Sequence, residues 1–262
     1  MERDLDAQLE PFGLAVAEKL GLAVGARVLD IGCGAGATSL MLADRVRPGR
    51  VLGVDISVPL LERARERAQD RGIGNLEFER ADAQTFALDA ASYDIVFSRF
   101  GVMFFADPVS AFRNLLGALR PGGKLGFVCW RAMDENPSFT VPLRAALPFL
   151  AEPPPPLEPG APGPFALAER GYLQSILEGA GYTDIELVAH NTKLVFAGRP
   201  DIDGAVELAL QVGPLSRAVT NATEQTREQI RAAVRDAFAP YHGPSGVELD
   251  SATWLVSARR EA

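Results

Sequence analysis

The chain has 262 residues, 47% apolar and 23% charged, enough to bury one substantial core and far from the composition of a disordered segment. A formal net charge of −8 works against a surface that neutralises phosphates, so no nucleic acid is expected as a partner. Two cysteines, Cys33 and Cys129, supply neither a disulfide framework nor a thiolate zinc site, and no metal is expected. No apolar run reaches bilayer length, and Met1-Glu2-Arg3-Asp4 is acidic where a secretory leader is basic and then apolar; the expectation is a cytoplasmic protein with no membrane partner.

In chain order, Phe12, Val16 and Leu20 recur at four-residue spacing and predict a helix that stops near Gly21. Residues 27–31, 51–55, 76–79, 93–98 and 124–130 read as strands separated by amphipathic stretches, and that alternation predicts a parallel sheet covered by helices. The charge-rich stretch 62–67 interleaves Glu and Arg at helical spacing, which fits a solvated helix face better than a nucleic-acid patch. Asp107 as N-cap and Pro108 at the first helical position open a helix that Pro121-Gly122-Gly123 closes. Residues 137–150 predict a short helix interrupted by Pro142 and Pro148. The prolines at 153–156, 159, 162 and 164 predict an exposed loop. Helical spacing resumes at Tyr172, Ile176 and Gly179, and a sixth strand is expected near 185–190. Asn221 begins a capping-box-like Asn-Ala-Thr-Glu pattern before a helix whose Ile230, Val234 and Phe238 share a face, and 254–258 is the last strand.

The strongest chemical signal is Val28-Leu29-Asp30-Ile31-Gly32-Cys33-Gly34-Ala35-Gly36, a buried strand that enters a glycine-dense turn and then a helix near Ala37-Thr38. Glycines let a backbone turn sharply and let a ligand approach without meeting a Cβ. Asp55 ends the next strand about 20 residues later, the separation at which a carboxylate meets ribose hydroxyls in nucleotide-binding folds. Asp82 follows the third strand in Ala81-Asp82-Ala83-Gln84, where its oxygen can accept from an adenine amino group beside small neighbours.

These residues, in this order, resemble class I S-adenosylmethionine-dependent methyltransferases, in particular the broad group related to the quinone-biosynthesis C-methyltransferases. Asp30 with Gly32, Gly34 and Gly36 is similar to the family's first motif, Val54-Asp55-Ile56 to the ribose-binding strand end, and Asp82-Ala83 to the adenine-side motif. Residues 94–100, with Leu119-Arg120-Pro121-Gly122-Gly123 after them, are similar to the fourth-strand motif and the turn before the fifth strand. The resemblance is strong over about residues 25–130 and implies S-adenosylmethionine as cofactor. It also implies an α/β, Rossmann-like three-layer sandwich, with a seven-stranded, mostly parallel sheet, an antiparallel last strand and a small helical cap. On this reading the chain is a single domain, with its core at about 22–130, 171–192 and 249–260 and cap insertions at about 131–170 and 193–248. Gly32-x-Gly34-x-x-Ala37 can also be forced onto a dinucleotide fingerprint, so an NAD-dependent oxidoreductase stays open, as does a non-catalytic S-adenosylmethionine-binding protein.

Past the fourth strand, backbone groups at Ser98 and Arg99 are expected to hold the donor's methionine end, while Phe100 and Met103 form an apolar wall against the acceptor. Trp130 is a further acceptor-side candidate, with packing as the equal alternative. Arg99 has an ordinary alternative as the partner of a surface carboxylate, and Phe104 and Phe105 as core. His190 is more simply a structural residue than a general base, His242 is expected to face solvent, and Trp254, Cys33 and Cys129 are expected to be fillers of the interior. No catalytic base is assigned. The acidic composition and the apolar residues of the cap, among them Phe139, Leu143, Leu208 and Leu215, fit a small-molecule acceptor, and core packing explains the same apolar residues equally.

Overall fold

The computed structural model describes residues 2–153, 158, 160–198 and 200–262, with the side chains of residues 2 and 3 outside the description. The helices are α1 (Glu2–Leu20), α2 (Ala37–Val46), α3 (Val58–Asp70), α4 (Pro108–Ala118), α5 (Pro137–Ala146), α6 (Arg170–Ala180), α7 (Ile202–Gln211), α8 (Gly213–Ala218) and α9 (Glu224–Phe238). The strands are β1 (Arg27–Ile31), β2 (Arg50–Asp55), β3 (Leu76–Arg80), β4 (Tyr93–Arg99), β5 (Leu119–Trp130), β6 (Thr183–Val195), β7 (His242–Gly243) and β8 (Gly246–Arg259). They form one sheet in the order β3-β2-β1-β4-β5-β8-β6, with β7 paired to β8. Strands β1 to β5 pair in parallel, and β8 runs antiparallel to β5 from Lys124↔Arg259 to Trp130↔Thr253. The fold is therefore a mostly parallel, Rossmann-like α/β sheet: the parallel part is what the strand-helix alternation implies, the antiparallel last strand is what the resemblance implies, and the short β7 makes eight strands among the described residues where seven were expected.

The described residues divide into two compact units. The first comprises Pro11–Trp130, Gly160–Ala189 and Thr253–Ala262. Its parallel strands are apolar on both faces because helices cover them: Val28, Leu29, Val96, Phe97, Phe127 and Val128 are all fully buried. Removing a side chain of this size from water contributes about 1.5–3 kcal/mol each. Helix α3 buries just Leu61, Ala64 and Ala68 and keeps its charged residues exposed or half-buried, with Arg63 paired to Glu66. Helix α4 opens as the sequence indicates, Asp107 Oδ1 accepting from Ser110 N with Pro108 at the first position. Strand β5 begins earlier than expected. Leu119 already pairs with Tyr93, and the Pro121-Gly122-Gly123 turn is absorbed as an irregularity before Lys124 joins Ile95.

The second unit comprises Met1–Glu10, Arg131–Pro159 and His190–Ala252. Its core is helical, with α5 against α8 and α9, and α7 against α8 and α9. Ile230, Val234 and Phe238 of α9 are fully buried, and the Phe238 ring lies 5.1 Å from that of Phe196. Asn136 is fully buried and bonds through both side-chain ends, Nδ2 to Ala132 O and Ala252 O and Oδ1 from Ala252 N.

Several boundaries differ from the sequence reading here. The α9 cap falls on Thr223, whose Oγ1 accepts from Thr226 N, two residues past Asn221. Helix α5 runs through Pro142, which forgoes one backbone hydrogen bond, and gives way to a 3₁₀ turn at Leu147–Phe149 around Pro148. Strands β6 and β8 are more than twice the expected length: β6 continues through exposed and half-buried residues to the buried Leu194, and β8 begins well before Trp254, with Val247 and Leu249 buried between polar residues that interrupt the apolar run. In the proline-rich segment, positions 154–157 and 159 lie outside the described residues, and its other described residues are neither helix nor strand up to Glu169.

Candidate functional site

Asp30 stands one residue before the end of β1, between Gly53 of β2 and Phe97 of β4, and is fully buried. Its Oδ2 accepts from the hydroxyls of Thr38 and Ser39 at 2.8 and 2.6 Å, both in the first turn of α2. Its Oδ1 is buried and finds no hydrogen-bond partner among the described residues. Burial pushes the Asp30 carboxyl up to about 6, against the pull of the two hydroxyls and of the Arg99 charge; the Asp55 charge raises it further. Burying a carboxyl costs free energy, which the two hydroxyls offset only in part.

The turn from Gly32 to Gly36 is tied down from several sides. Gly32 N and Cys33 N both donate to Val54 O, and Gly34 N donates to Asp55 Oδ2 at 2.8 Å. Arg67 of α3 donates from Nη1 to Ala35 O at 2.8 Å. Gly32 and Gly34 both hold positive φ, 67° and 55°, yet for different reasons. A Cβ on Gly32 would lie 2.6 Å from Gly101 Cα, whereas one on Gly34 would meet nothing within 4 Å. Gly32 is therefore a backbone contact and Gly34 an open face. Gly36 is the N-cap of α2 and sits against Ala64 and the Phe78 ring.

Asp55 ends β2 with both oxygens on backbone donors, Oδ2 on Gly34 N and Oδ1 on Ser57 N at 2.9 Å, so its carboxylate is fixed rigidly at the turn. Ile56 beside it is 69% exposed, an unusual placement for a large aliphatic side chain. Asp82 comes to the same end of the sheet, because Asp55 pairs with Arg80 and Ala81 N donates to Asp55 O. Its carboxylate is engaged by its own turn through Gln84 N and Nε2. Ala83 is buried, with its carbonyl held by Asn114 Nδ2. Asp30 is thus tied to the helix that follows the turn, Asp55 to the turn itself, and Asp82 stands just past the end of the adjoining strand β3.

At the end of β4, Ser98 is fully buried and its hydroxyl is engaged on both sides, donating to Ile31 O and accepting from Gly101 N. The Arg99 Cδ lies 3.4 Å from where a Cβ on Gly13 of α1 would be, and Thr38 Cγ2 lies 3.2 Å from the same point. Phe100 adopts φ 64° and ψ 3°, a left-handed conformation rare for a bulky residue. It sets the Phe100 ring parallel to Trp130, centroids 4.4 Å apart at 11°, while Phe12 meets both rings edge-on at 5.3 and 5.4 Å. Met103 is buried and its carbonyl accepts from Gly163 N.

Thr38, Ser39, Gly101 and Phe12 were not singled out as site residues from the sequence. Two hydroxyl residues in the first turn of the helix after the glycines were a readable signal for the first pair; nothing local marks Gly101 or Phe12. Of the expected interior residues, Phe105 packs on Phe112, but Phe104 is 50% exposed. Trp254 donates from Nε1 to Ala168 O, and His242 Nε2 lies 2.8 Å from Pro200 O. Cys33 and Cys129 are buried, and burial pushes both thiols well above the ordinary range.

The sequence profile of the family described as "Methyltransferase domain" matches residues 28–123. The aklanonic acid methyltransferase DauC of Streptomyces sp. strain C5 is 36% identical over 118 residues, 45% of this chain and 54% of that protein. The ubiquinone/menaquinone biosynthesis C-methyltransferase UbiE of Idiomarina loihiensis is 35% identical over 107 residues, 40% of this chain and 43% of that protein. The chain spans about half the length of the curated relatives it matches. The crystal structure of the YcgJ protein from Bacillus subtilis superposes with a TM-score of 0.63 at 19% identity, covering 97% of this chain and 99% of that one, a likeness of fold.

Proposed function

We propose that this chain is a class I S-adenosylmethionine-dependent methyltransferase that transfers the methyl group to a small-molecule acceptor, a reading supported by the likeness of residues 28–123 to the family described as "Methyltransferase domain". The observation that carries the reading is the paired arrangement of Asp30 and Asp55 about the glycine turn. One carboxylate is buried with an unused oxygen, and the other is locked at the turn's edge by two backbone N–H groups. The residues fit the group: Asp55 offers lone pairs to ribose hydroxyls, the open face at Gly34 admits a ligand close to the backbone, and Asp30 supplies negative charge near a cationic donor. Asp82, Ala83 and the exposed Ile56 are assigned to the adenine side, and the Ser98–Arg99 end of β4 to the methionine side.

When bound, S-adenosylmethionine would supply an already activated methyl group, with S-adenosylhomocysteine as the leaving group. The chain's contribution is then to orient the two reactants in line and to exclude water, and positioning of this kind lowers a barrier by about 7–11 kcal/mol in favourable model reactions. Phe100, Trp130 and Met103 are assigned to the apolar, water-excluding wall of the acceptor side. Acceptor choice is assigned to the cap segments, about residues 131–170 and 193–248.

The test is calorimetric titration with S-adenosylhomocysteine and, separately, with NAD. Binding of the first at one site per chain with no heat from the second is expected; the reverse would replace the reading with an oxidoreductase. Turnover is then read as S-adenosylhomocysteine production from S-adenosylmethionine against acceptors that include aklanonic acid and intermediates of ubiquinone and menaquinone biosynthesis. Binding without turnover on any acceptor would leave a non-catalytic S-adenosylmethionine-binding protein.

A further inference from the structure

We propose that Ser98 is a positioning residue whose buried hydroxyl locks the glycine turn after β1 to the aromatic wall after β4, so that donor binding and the acceptor-side stack move as one body. The inference rests on the methyltransferase reading for what the two sides bind, and on geometry alone for the lock. Backbone pairing between β1 and β4 is registered at Val28↔Ile95, Leu29↔Val96 and Asp30↔Phe97 and ends there, one residue short of the turn. Beyond it, Ile31 O faces β4 and Gly101 N faces back, and the fully buried Ser98 Oγ serves both, at 2.8 and 3.0 Å. A hydroxyl is the side-chain group that donates and accepts at one atom, which this bridge requires.

The lock has no slack. A Cβ on Gly32 would lie 2.6 Å from Gly101 Cα, and one on Gly101 would lie 2.5 Å from Ile31 O and 2.8 Å from Gly32 Cα. The two turns are thus in direct backbone contact. Between Ser98 and Gly101, the left-handed Phe100 converts the position of that contact into the orientation of a ring stacked on Trp130 and edged by Phe12. Phe100 N also donates to Val128 O, which anchors the residue to β5. A shift at Gly32 is transmitted through Gly101 to the stack because packed backbone cannot yield independently.

The experiment uses the full chain carrying Trp254→Phe, so that Trp130 is the single remaining tryptophan of the two. S-adenosylhomocysteine is titrated by calorimetry and by Trp130 emission, before and after adding Ser98→Ala. The lock predicts that Ser98→Ala weakens binding about tenfold and removes the emission change at saturating ligand. Affinity and emission change both equal to those of the parent would overturn it. A second measurement needs no variant: in the unmodified chain, S-adenosylhomocysteine is expected to slow amide exchange at Gly101 about tenfold, together with Gly34. Slowing at Gly34 with Gly101 unchanged would overturn the proposal. Should S-adenosylhomocysteine not bind at all, the methyltransferase reading fails, while faster Gly101 exchange in ligand-free Ser98→Ala still reports the lock by itself.

Discussion

The turns that follow β1 and β4 touch each other, yet they are made of opposite materials. In the first, the left-handed positions are glycines, and the holding bonds run from Val54 O, Asp55 and Arg67 to the turn's backbone. In the second, the left-handed position is Phe100, which accepts an unfavourable backbone so that its ring can lie on Trp130. A turn read through its backbone serves one ligand across many sequences; a turn read through a large side chain can change with the acceptor. Under the proposed function, that contrast assigns donor binding to the turn after β1 and acceptor selection to the side chains after β4 and at the end of β5.

The comparison is tested most severely by Phe100→Ala. Loss of a buried aromatic costs about 3–5 kcal/mol, and the left-handed backbone remains unrelieved by alanine. Urea unfolding is expected to show a loss of that size; a loss below about 1 kcal/mol would mean that the stack carries no weight.

Next comes Gly32→Ala, where overpacking against Gly101 and a left-handed alanine together cost roughly 2–5 kcal/mol. Calorimetry is expected to find S-adenosylhomocysteine binding abolished, and retention of wild-type affinity would show that the close approach is dispensable.

Asp30→Asn is read against pH. The Asp30 carboxyl titrates at about 6 in the fold against 3.8 outside it, so the folded chain holds the proton more tightly. The stability this contributes is complete below about pH 4 and is lost as pH rises through 6; a shift of about two pH units corresponds to about 3 kcal/mol across that window. The variant is expected to flatten the stability profile between pH 4 and 6.5 and to be the more stable chain above pH 7, while binding S-adenosylhomocysteine more weakly. An unchanged profile by denaturant unfolding at three pH values would remove Asp30 from the account.

The smallest effect is Gly34→Ala, with the same left-handed backbone as Gly32 but open space around the new methyl group, at about 1–2 kcal/mol of stability. Donor affinity is expected to fall far more than stability, because the methyl group enters the open face assigned to the ligand. Equal losses of stability and affinity at Gly32 and Gly34 would erase the distinction between contact glycine and ligand-facing glycine.

Much of the fold was legible because parallel strands buried on both faces announce themselves as apolar runs, and Asp107-Pro108 opens its helix by local chemistry alone. Strand ends were less so: β6 and β8 extend past the continuous apolar runs because polar residues interrupt the rest of each strand, and the α9 cap falls on Thr223, whose hydroxyl accepts from Thr226 N, and not on Asn221. In the candidate site, the placement of Asp30, the glycines and Asp55 near one strand-to-helix turn was legible because each follows a rule of local spacing. Thr38 and Ser39 stood eight and nine residues from Asp30 and were passed over, although their place in the first helical turn was visible.

Sequence alone determined that a carboxylate and a run of glycines stand at a strand-to-helix turn, since strand, turn and helix are specified within a few neighbouring residues. Tertiary structure decided that Ser98 bridges to Ile31 across 67 residues, that Phe12 joins Phe100 and Trp130, and that Gly32 rests on Gly101. Those pairings obey no period, because they depend on which strand ends the sheet order brings side by side.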